Sequence, residues 1–158
     1  MDVKVIHQMK KAFTLIEILI VVAILGILAA IVIPTFSGHI QEAKEAAAKD
    51  NLRILRNAIE LYASQHNNVP PGYPNNDHGQ TPSWLQFVLQ IQGGHYINTI
   101  PENPFNGSFM FKIIGNAAQL PAEATATKQY GWIYKPATKT IRVNLPGKDS
   151  KGMRYYDY

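Results

Sequence analysis

The side chains that most often do chemistry in proteins are sparse in this sequence, and they do not form a catalytic set. The chain has no cysteine, which excludes a thiol nucleophile, a disulfide and a cysteine-ligated metal. Its five histidines are scattered, and the HExxH, GxSxG and P-loop patterns are absent. We therefore expect no enzymatic activity and no enzyme cofactor. The one chemically unusual side chain is Glu17, which lies inside a strongly apolar run.

This apolar run extends from Phe13 to Phe36 and contains no other charged residue. As a helix rising about 1.5 Å per residue it would reach roughly 36 Å, more than the roughly 30 Å of a bilayer's hydrocarbon core. A cleaved secretory signal has a shorter apolar region and a small-residue cut site, so we expect the run to stay in the mature protein. It therefore predicts a transmembrane helix.

A carboxylate is costly in such a helix, by about 2.5–3.5 kcal/mol at the centre and less near an end. Two explanations of Glu17 are open from its position alone. The residue is tolerated at the level of the lipid headgroups, or it has a specific cationic partner inside a protein assembly.

The stretch KKAFTLIEILIVVAILGILAAIVIP, residues 10–34, resembles the N-terminal signal of the type IV pilin and type II secretion pseudopilin superfamily. The resemblance implies that a prepilin peptidase cuts between Ala12 and Phe13 and methylates the new amino group of Phe13. Ala12 departs from the family, whose members usually have glycine there. The resemblance also implies that Glu17 pairs with the cationic Phe13 terminus of a neighbouring subunit. Pro34 would then mark a kinked or locally melted stretch of the helix.

Two further features of this helix bear on assembly. Thr14 is expected either to add a hydrogen bond near Glu17 or to bond its own preceding carbonyl. Gly26 and Ala30 have the small-xxx-small spacing that lets helices approach closely. We expect a homopolymer that also contains related minor pilins or pseudopilins.

The resemblance and the charges predict the domain organisation. Residues 1–12 would be a cleaved basic leader, residues 13–36 the transmembrane and assembly helix, and residues 37–158 an extracytoplasmic pilin-like domain. Lys10 and Lys11 precede the run, and flanking positive charge stays cytoplasmic. We therefore expect a single-pass inner-membrane protein with a periplasmic body, which becomes a filament after assembly. The resemblance adds the prepilin peptidase and an inner-membrane assembly platform as partners.

The helix is expected to continue through an amphipathic half, from Ile40 to Gln65. Its apolar positions recur near helical spacing: Ile40, Ala43, Ala47, Leu55, Ile59 and Tyr62. Its charged positions lie largely opposite and are expected to face solvent: Glu42, Lys44, Glu45, Lys49, Asp50 and Arg53. This half should pack on a sheet.

The remaining elements predict an α+β fold. Prolines, glycines and asparagines indicate a loop over His66–Gly79, after which Thr81 is expected to cap a short helix with Pro82 at its first position. Three segments have strand character: Phe109–Ile114, Tyr130–Tyr134 and Thr140–Leu145. We predict that they form a small antiparallel sheet, with the last two joined by a turn at Pro136–Lys139.

Two loops carry a looser resemblance to major type II secretion pseudopilins. YINTIPENPFNG, residues 96–107, has Asn103 and Phe105 where those proteins usually have aspartate and tryptophan. Pseudopilins often hold calcium in a loop, which makes Asp149 and Asp157 of the glycine-containing tail candidate ligands, together with backbone carbonyls. The alternative is that both are solvated surface acids.

These observations favour a structural subunit of a type II secretion pseudopilus, which polymerises from the inner membrane to drive protein secretion. The alternative is a type IV pilus pilin for adhesion, motility or DNA uptake. A membrane-anchored enzyme or receptor would need neither Glu17 nor the cleavage site. The formal net charge of +4 falls to +2 without residues 1–12, which does not indicate nucleic-acid binding. Late basic residues are expected to serve solubility: Lys135, Lys139, Arg142, Lys148, Lys151 and Arg154.

Overall fold

The computed structural model describes residues 13–125 and 127–158, and for residues 32–37 it describes the backbone alone. Ala12 and the rest of the predicted leader lie outside the described residues. The chain divides into two units, residues 1–40 and residues 41–158, which are taken in turn.

The first unit is the N-terminal part of helix α1, which as a whole extends over Leu15–Gln65. The helical assignment continues through Pro34, and the predicted kink or local melting there stays a prediction. Large apolar side chains are exposed around the whole circumference of the described part: Phe13, Leu15, Ile16, Ile18, Leu19, Ile20, Val21, Val22, Ile24, Leu25, Ile27, Leu28 and Ile31. Within the described residues, no helix combines the length and the apolar character that a membrane crossing requires.

The second unit begins with the C-terminal part of α1, whose buried face differs from the predicted one at its start. Leu55, Ile59 and Tyr62 are buried as predicted, whereas Ile40, Ala43 and Ala47 are exposed. The buried apolar positions of α1 begin instead at Ala48 and continue with Leu52. Glu45, predicted to face solvent, is only 5% exposed. The reason is that the C-terminal tail covers this turn of the helix and supplies polar partners, described below.

The described residues form a three-stranded sheet of β1 (Phe111–Ile113), β2 (Trp132–Lys135) and β3 (Thr140–Val143), in that spatial order. Strands β2 and β3 are antiparallel and are joined through the predicted turn, a 3-10 segment at Pro136–Thr138. Strands β1 and β2 are parallel, so the prediction of an antiparallel sheet was wrong for this pair. The connection through residues 114–131 is long enough to return the chain to the opposite end of the sheet, which a parallel pair requires.

A short helix, α2, covers one side of the core over Trp84–Ile91. It begins later than predicted, because the N-cap is Ser83, whose hydroxyl accepts a hydrogen bond from the Gln86 amide. The predicted His66–Gly79 loop follows α1 and contains a 3-10 turn at Pro74–Asn76. Another 3-10 turn, Tyr155–Asp157, lies in the tail.

The core of the second unit forms where α1, α2 and the sheet meet. The ring centroid of Phe87 on α2 lies 4.6 Å from that of Phe111 on β1 and 5.1 Å from that of Tyr134 on β2. Leu52 and Leu55 of α1 are fully buried in the same cluster. The predicted α+β architecture, a helix packed on a small sheet, is therefore confirmed for this unit. The sheet itself is mixed.

Candidate functional site

The N-terminal end of α1 is closed by a reciprocal set of hydrogen bonds between Thr14 and Glu17. The Thr14 amide donates to Glu17 Oε2 over 3.1 Å, and the Thr14 hydroxyl donates to the same oxygen over 3.0 Å. In return, the Glu17 amide donates to Thr14 Oγ1 over 3.3 Å. This is a capping box, in which the N-cap residue and the third helical residue satisfy each other's backbone donors.

The capping box joins two of the predicted assembly residues, Thr14 and Glu17, and it was not predicted from the sequence. The Thr-x-x-Glu spacing directly before an apolar run is a recognised signal for such a box, so it could have been found. Thr14 bonds Glu17, which is one of its two predicted roles. Phe13 is exposed at this end of the helix. The predicted pairing of Glu17 with the Phe13 terminus of another subunit stays a prediction, as do cleavage after Ala12 and methylation of Phe13.

The second unit contains a cluster of buried acids where the C-terminal tail meets α1. Glu45 of α1 receives hydrogen bonds from the Ser150 amide (3.1 Å) and from the Tyr155 hydroxyl (3.1 Å) at Oε1. Its other oxygen accepts a bond from the Ser150 hydroxyl over 2.7 Å. Burial raises the pKa of Glu45, but the bonds from Ser150 and Tyr155 outweigh it and hold the pKa below its ordinary value. The carboxylate is therefore ionised while buried.

Asp149 is the second acid of this cluster, and its side chain is 1% exposed. Its Oδ1 accepts the amides of Lys151 (2.9 Å) and Met153 (2.8 Å). Its Oδ2 accepts the Tyr158 hydroxyl (2.8 Å) and lies 3.4 Å from the Lys49 ammonium of α1. Burial raises the pKa of Asp149, whereas these four donors lower it from its ordinary 3.8 to about 2. We call Glu45, Lys49, Asp149, Ser150, Tyr155 and Tyr158 the tail cluster.

Asp157, the other predicted calcium ligand, lies in a different set of contacts. The guanidinium of Arg154 donates to both of its oxygens, over 2.6 and 3.0 Å, and Arg142 donates over 3.1 Å. The hydrogen bond from Arg154 is the main reason that the pKa of Asp157 is lowered. Calcium needs about six to eight oxygen ligands. In the part of the chain that the structure describes, no three acidic or histidine side chains are grouped to hold a metal. Asp149 and Asp157 are therefore held by separate sets of hydrogen-bond donors.

The loop that loosely resembles the major pseudopilins is fixed by the buried side chain of Asn103. Its Nδ2 donates to the carbonyl of Gly131 over 2.8 Å, and its Oδ1 accepts the Phe105 amide over 3.0 Å. The indole of Trp132 donates to the Pro101 carbonyl over 3.0 Å. The loop is therefore held against the residues that begin β2. An aspartate at position 103 would have no donor for the Gly131 carbonyl.

Comparison with known proteins bears on both the N-terminal helix and the rest of the chain. Residues 7–33 match the model of the prokaryotic N-terminal methylation motif. Type II secretion system core protein G of Pseudomonas aeruginosa is 36% identical over 115 residues, which cover 66% of this chain and 75% of that protein. The protein of the same name from Vibrio cholerae is 32% identical over 103 residues, covering 63% of this chain and 68% of its own length. The Aeromonas hydrophila protein is 29% identical over 105 residues, covering 63% and 71%.

The methylation motif, the capped apolar helix and the small α+β domain together define a pilin-like protein. The relatives from Pseudomonas and Vibrio identify the family within this class of protein. The chain belongs to the family of type II secretion system core protein G, the major pseudopilins. A type IV major pilin, PilA of Myxococcus xanthus, is 45% identical over 65 residues, covering 41% of this chain and 30% of the pilin. No solved structure matches significantly.

Proposed function

We propose that this chain is a structural subunit of a type II secretion pseudopilus, which polymerises from the inner membrane to drive protein secretion. Membership of the core protein G family supports the proposal. The observation that carries it is the position of Glu17. This carboxylate is held in the first turn of α1, whose side chains from Leu15 to Ile31 are otherwise apolar and are exposed around the circumference. A helix that is apolar on all sides needs lipid or other helices around it.

The capping box is compatible with pairing between subunits. Among the described residues, both bonds to the Glu17 side chain come from Thr14 and go to Oε2. The other oxygen, Oε1, would then accept a hydrogen bond from the methylated amino group of Phe13 of a neighbouring subunit. Thr14 would act as a positioning residue, because it holds the carboxylate at the helix end before a neighbour arrives. In a low-dielectric environment such a pair is strongly sensitive to loss of either partner.

The proposal includes a location and partners. The apolar run continues to Phe36, and two lysines precede it; the side chains of residues 32–37 lie outside the described ones. We infer that residues 13–36 anchor the chain once in the inner membrane with the N-terminus cytoplasmic and the second unit periplasmic. The partners would be further copies of the chain, minor pseudopilins, the prepilin peptidase and the inner-membrane assembly platform. We propose no nucleic-acid partner.

The assembly proposal is tested by comparing Glu17→Ala with Thr14→Val. We expect Glu17→Ala to remain in the membrane and to abolish sheared filaments and secretion, because losing one half of a desolvated ion pair costs about 3–5 kcal/mol. Thr14→Val removes the hydroxyl of the capping box and keeps the carboxylate, so we expect partial filament yield. Membrane levels are checked by immunoblot and filaments are counted by electron microscopy. Normal filaments from Glu17→Ala would refute the pairing, and equal defects in both variants would reduce Glu17 to a helix cap.

Processing is tested separately by intact mass spectrometry of membrane-extracted protein. We expect a chain that begins at Phe13 and carries one methyl group. A chain that keeps its leader in cells with an active prepilin peptidase would contradict the processing proposal, whatever the result for Glu17.

The second candidate function is a type IV pilus pilin, which the likeness to the Myxococcus pilin favours. Deleting the gene in the source bacterium separates the two. Loss of secreted proteins from the culture supernatant with unchanged surface pili supports the pseudopilus. Loss of surface pili or of pilus-dependent motility with unchanged secretion supports the pilus.

A further inference from the structure

The tail, residues 147–158, is fastened to the second unit's part of α1 by contacts that join distant parts of the sequence. Asp149 contacts Lys49 of α1, and Ser150 and Tyr155 both bond Glu45. The hydroxyl of Tyr155 also accepts a hydrogen bond from Gln41 over 2.6 Å. The tail is thus held by a polar interface at the N-terminal end of the buried face of α1.

Lys49 supplies the positive charge of this interface. Its ammonium lies 3.4 Å from Asp149 Oδ2 and 4.2 Å from the centroid of the Tyr158 ring, which is cation–π distance. The Tyr158 hydroxyl donates to the same Oδ2. The Lys49 ammonium therefore lies between the buried Asp149 carboxylate and the face of the Tyr158 ring. The hydroxyl of that ring bonds the same carboxylate. The Lys49 side chain is 45% exposed, so its own desolvation is incomplete.

The acceptor positions of Asp149 are already filled, and both oxygens of Glu45 have hydrogen-bond donors. Each oxygen of Asp149 accepts two donors, two backbone amides at Oδ1 and an ammonium with a hydroxyl at Oδ2. Glu45 accepts three donors from Ser150 and Tyr155. A calcium ion would have to displace these donors and lie beside the Lys49 ammonium. We propose that Lys49 and the hydrogen-bond donors of the tail replace a divalent cation here, so that the tail docks and the domain folds without calcium.

The first test measures calcium dependence on the full chain purified in detergent, with tryptophan fluorescence, to which Trp84 and Trp132 both contribute, as the probe of thermal unfolding. We compare about 10 mM calcium with excess chelator, since the weakest extracellular calcium modules have dissociation constants of about 10⁻³ M. Even such a site would raise the unfolding midpoint by about 5 °C. We expect a change of less than about 1 °C. A rise of about 5 °C that Asp149→Asn abolishes would overturn the proposal.

The second test measures the ammonium itself through Lys49→Met, with Lys151→Met as the matched control. Lys151 is an exposed lysine of the same tail, so its substitution removes the same charge without removing a donor to Asp149. We expect Lys49→Met to lower the midpoint by about 3–6 °C and the control by less than about 1 °C. Lys49→Arg should restore most of the loss, because it returns a cation to Asp149. Equal midpoints for Lys49→Met and Lys151→Met would overturn the proposal.

If Lys49→Met does not fold at all, recovery by Lys49→Arg still supports the role of the cation. The opposite outcome is that Lys49→Arg also fails to fold, whereas added calcium restores the folding of Lys49→Met. That outcome would show that the position is suited to a metal ion and would count against the proposal. Neither test requires assembled filaments. A negative result here therefore leaves the assembly test of Glu17 unaffected.

Discussion

Asn103 offers the sharpest test of how the second unit is held together. Its side chain is fully buried, donates to the Gly131 carbonyl and accepts the Phe105 amide. Asn103→Ala removes two hydrogen bonds, each contributing a net of about 0.5–1.5 kcal/mol, so we expect a loss of about 1–3 kcal/mol. At about 4 °C per kcal/mol for a domain of this size, the unfolding midpoint should fall by about 4–12 °C.

Asn103→Asp should lower the free energy of unfolding at neutral pH by at least as much as Asn103→Ala, although aspartate is nearly the same size as asparagine. It keeps an acceptor for the Phe105 amide but places a buried carboxylate oxygen against the carbonyl of Gly131. We expect a loss of about 3 kcal/mol, because a buried charge without its donor costs more than a neutral group. Burial raises the pKa of such a carboxyl above its unfolded value near 3.9, so the penalty grows as pH rises through the folded-state pKa and shrinks at low pH.

The assay is urea unfolding followed by tryptophan fluorescence, which comes from Trp84 and from Trp132, whose indole bonds the Pro101 carbonyl of the same loop. Each variant is compared with the unaltered chain at pH 7 and at pH 5. Asn98→Asp makes the same chemical change at an exposed position and should stay within about 0.5 kcal/mol. If Asn103→Asp is as stable as the unaltered chain at pH 7, the loop does not depend on the donor at this position.

Three further predictions concern packing and ionisation in the second unit. Leu55→Ala should lower the free energy of unfolding by about 2–5 kcal/mol in urea melts, whereas Leu61→Ala, at a side chain 50% exposed, should lower it by less than about 1 kcal/mol; equal losses would contradict the described core. Gly131→Ala should cost about 1–3 kcal/mol in the same melts, because its added Cβ would lie 2.0 Å from the Ser108 carbonyl oxygen; an unchanged midpoint would exclude that close approach. The depressed pKa of Asp149 predicts a contribution to the free energy of unfolding that is present above pH 3.8 and is lost as pH falls toward about 2. Asp149→Asn should remove that part of an acid-unfolding curve. An unchanged curve would show that the carboxylate is not held by Lys49, Tyr158 and the tail amides.

Much of the fold could be predicted because its signals are local. The change from an all-apolar to an amphipathic helix, the Asn- and Pro-rich loop after Gln65 and the turn at Pro136–Lys139 are each encoded within a few neighbouring residues. The start of α2 was misplaced because Thr81 and Ser83 are both good N-caps, and only the observed bond from Gln86 selects Ser83. The direction of β1 could not be predicted, since parallel and antiparallel strands have similar composition and the choice depends on how residues 114–131 cross the sheet.

The N-terminal capping box is encoded in the local sequence. The basic leader, the apolar run, Glu17 and the Thr14–Glu17 spacing lie within a short stretch, and a capping box requires only one turn of helix. In the second unit, the surroundings of Glu45 and the pairing of Asp149 with Lys49 follow from tertiary packing. Glu45 was predicted to face solvent and Asp149 to be a candidate metal ligand, and neither prediction could include the packing that brings Ser150 to Glu45 and Lys49 to Asp149 across about 100 residues. A carboxylate's ionisation and partners depend on which groups surround it, and that environment is created by long-range packing.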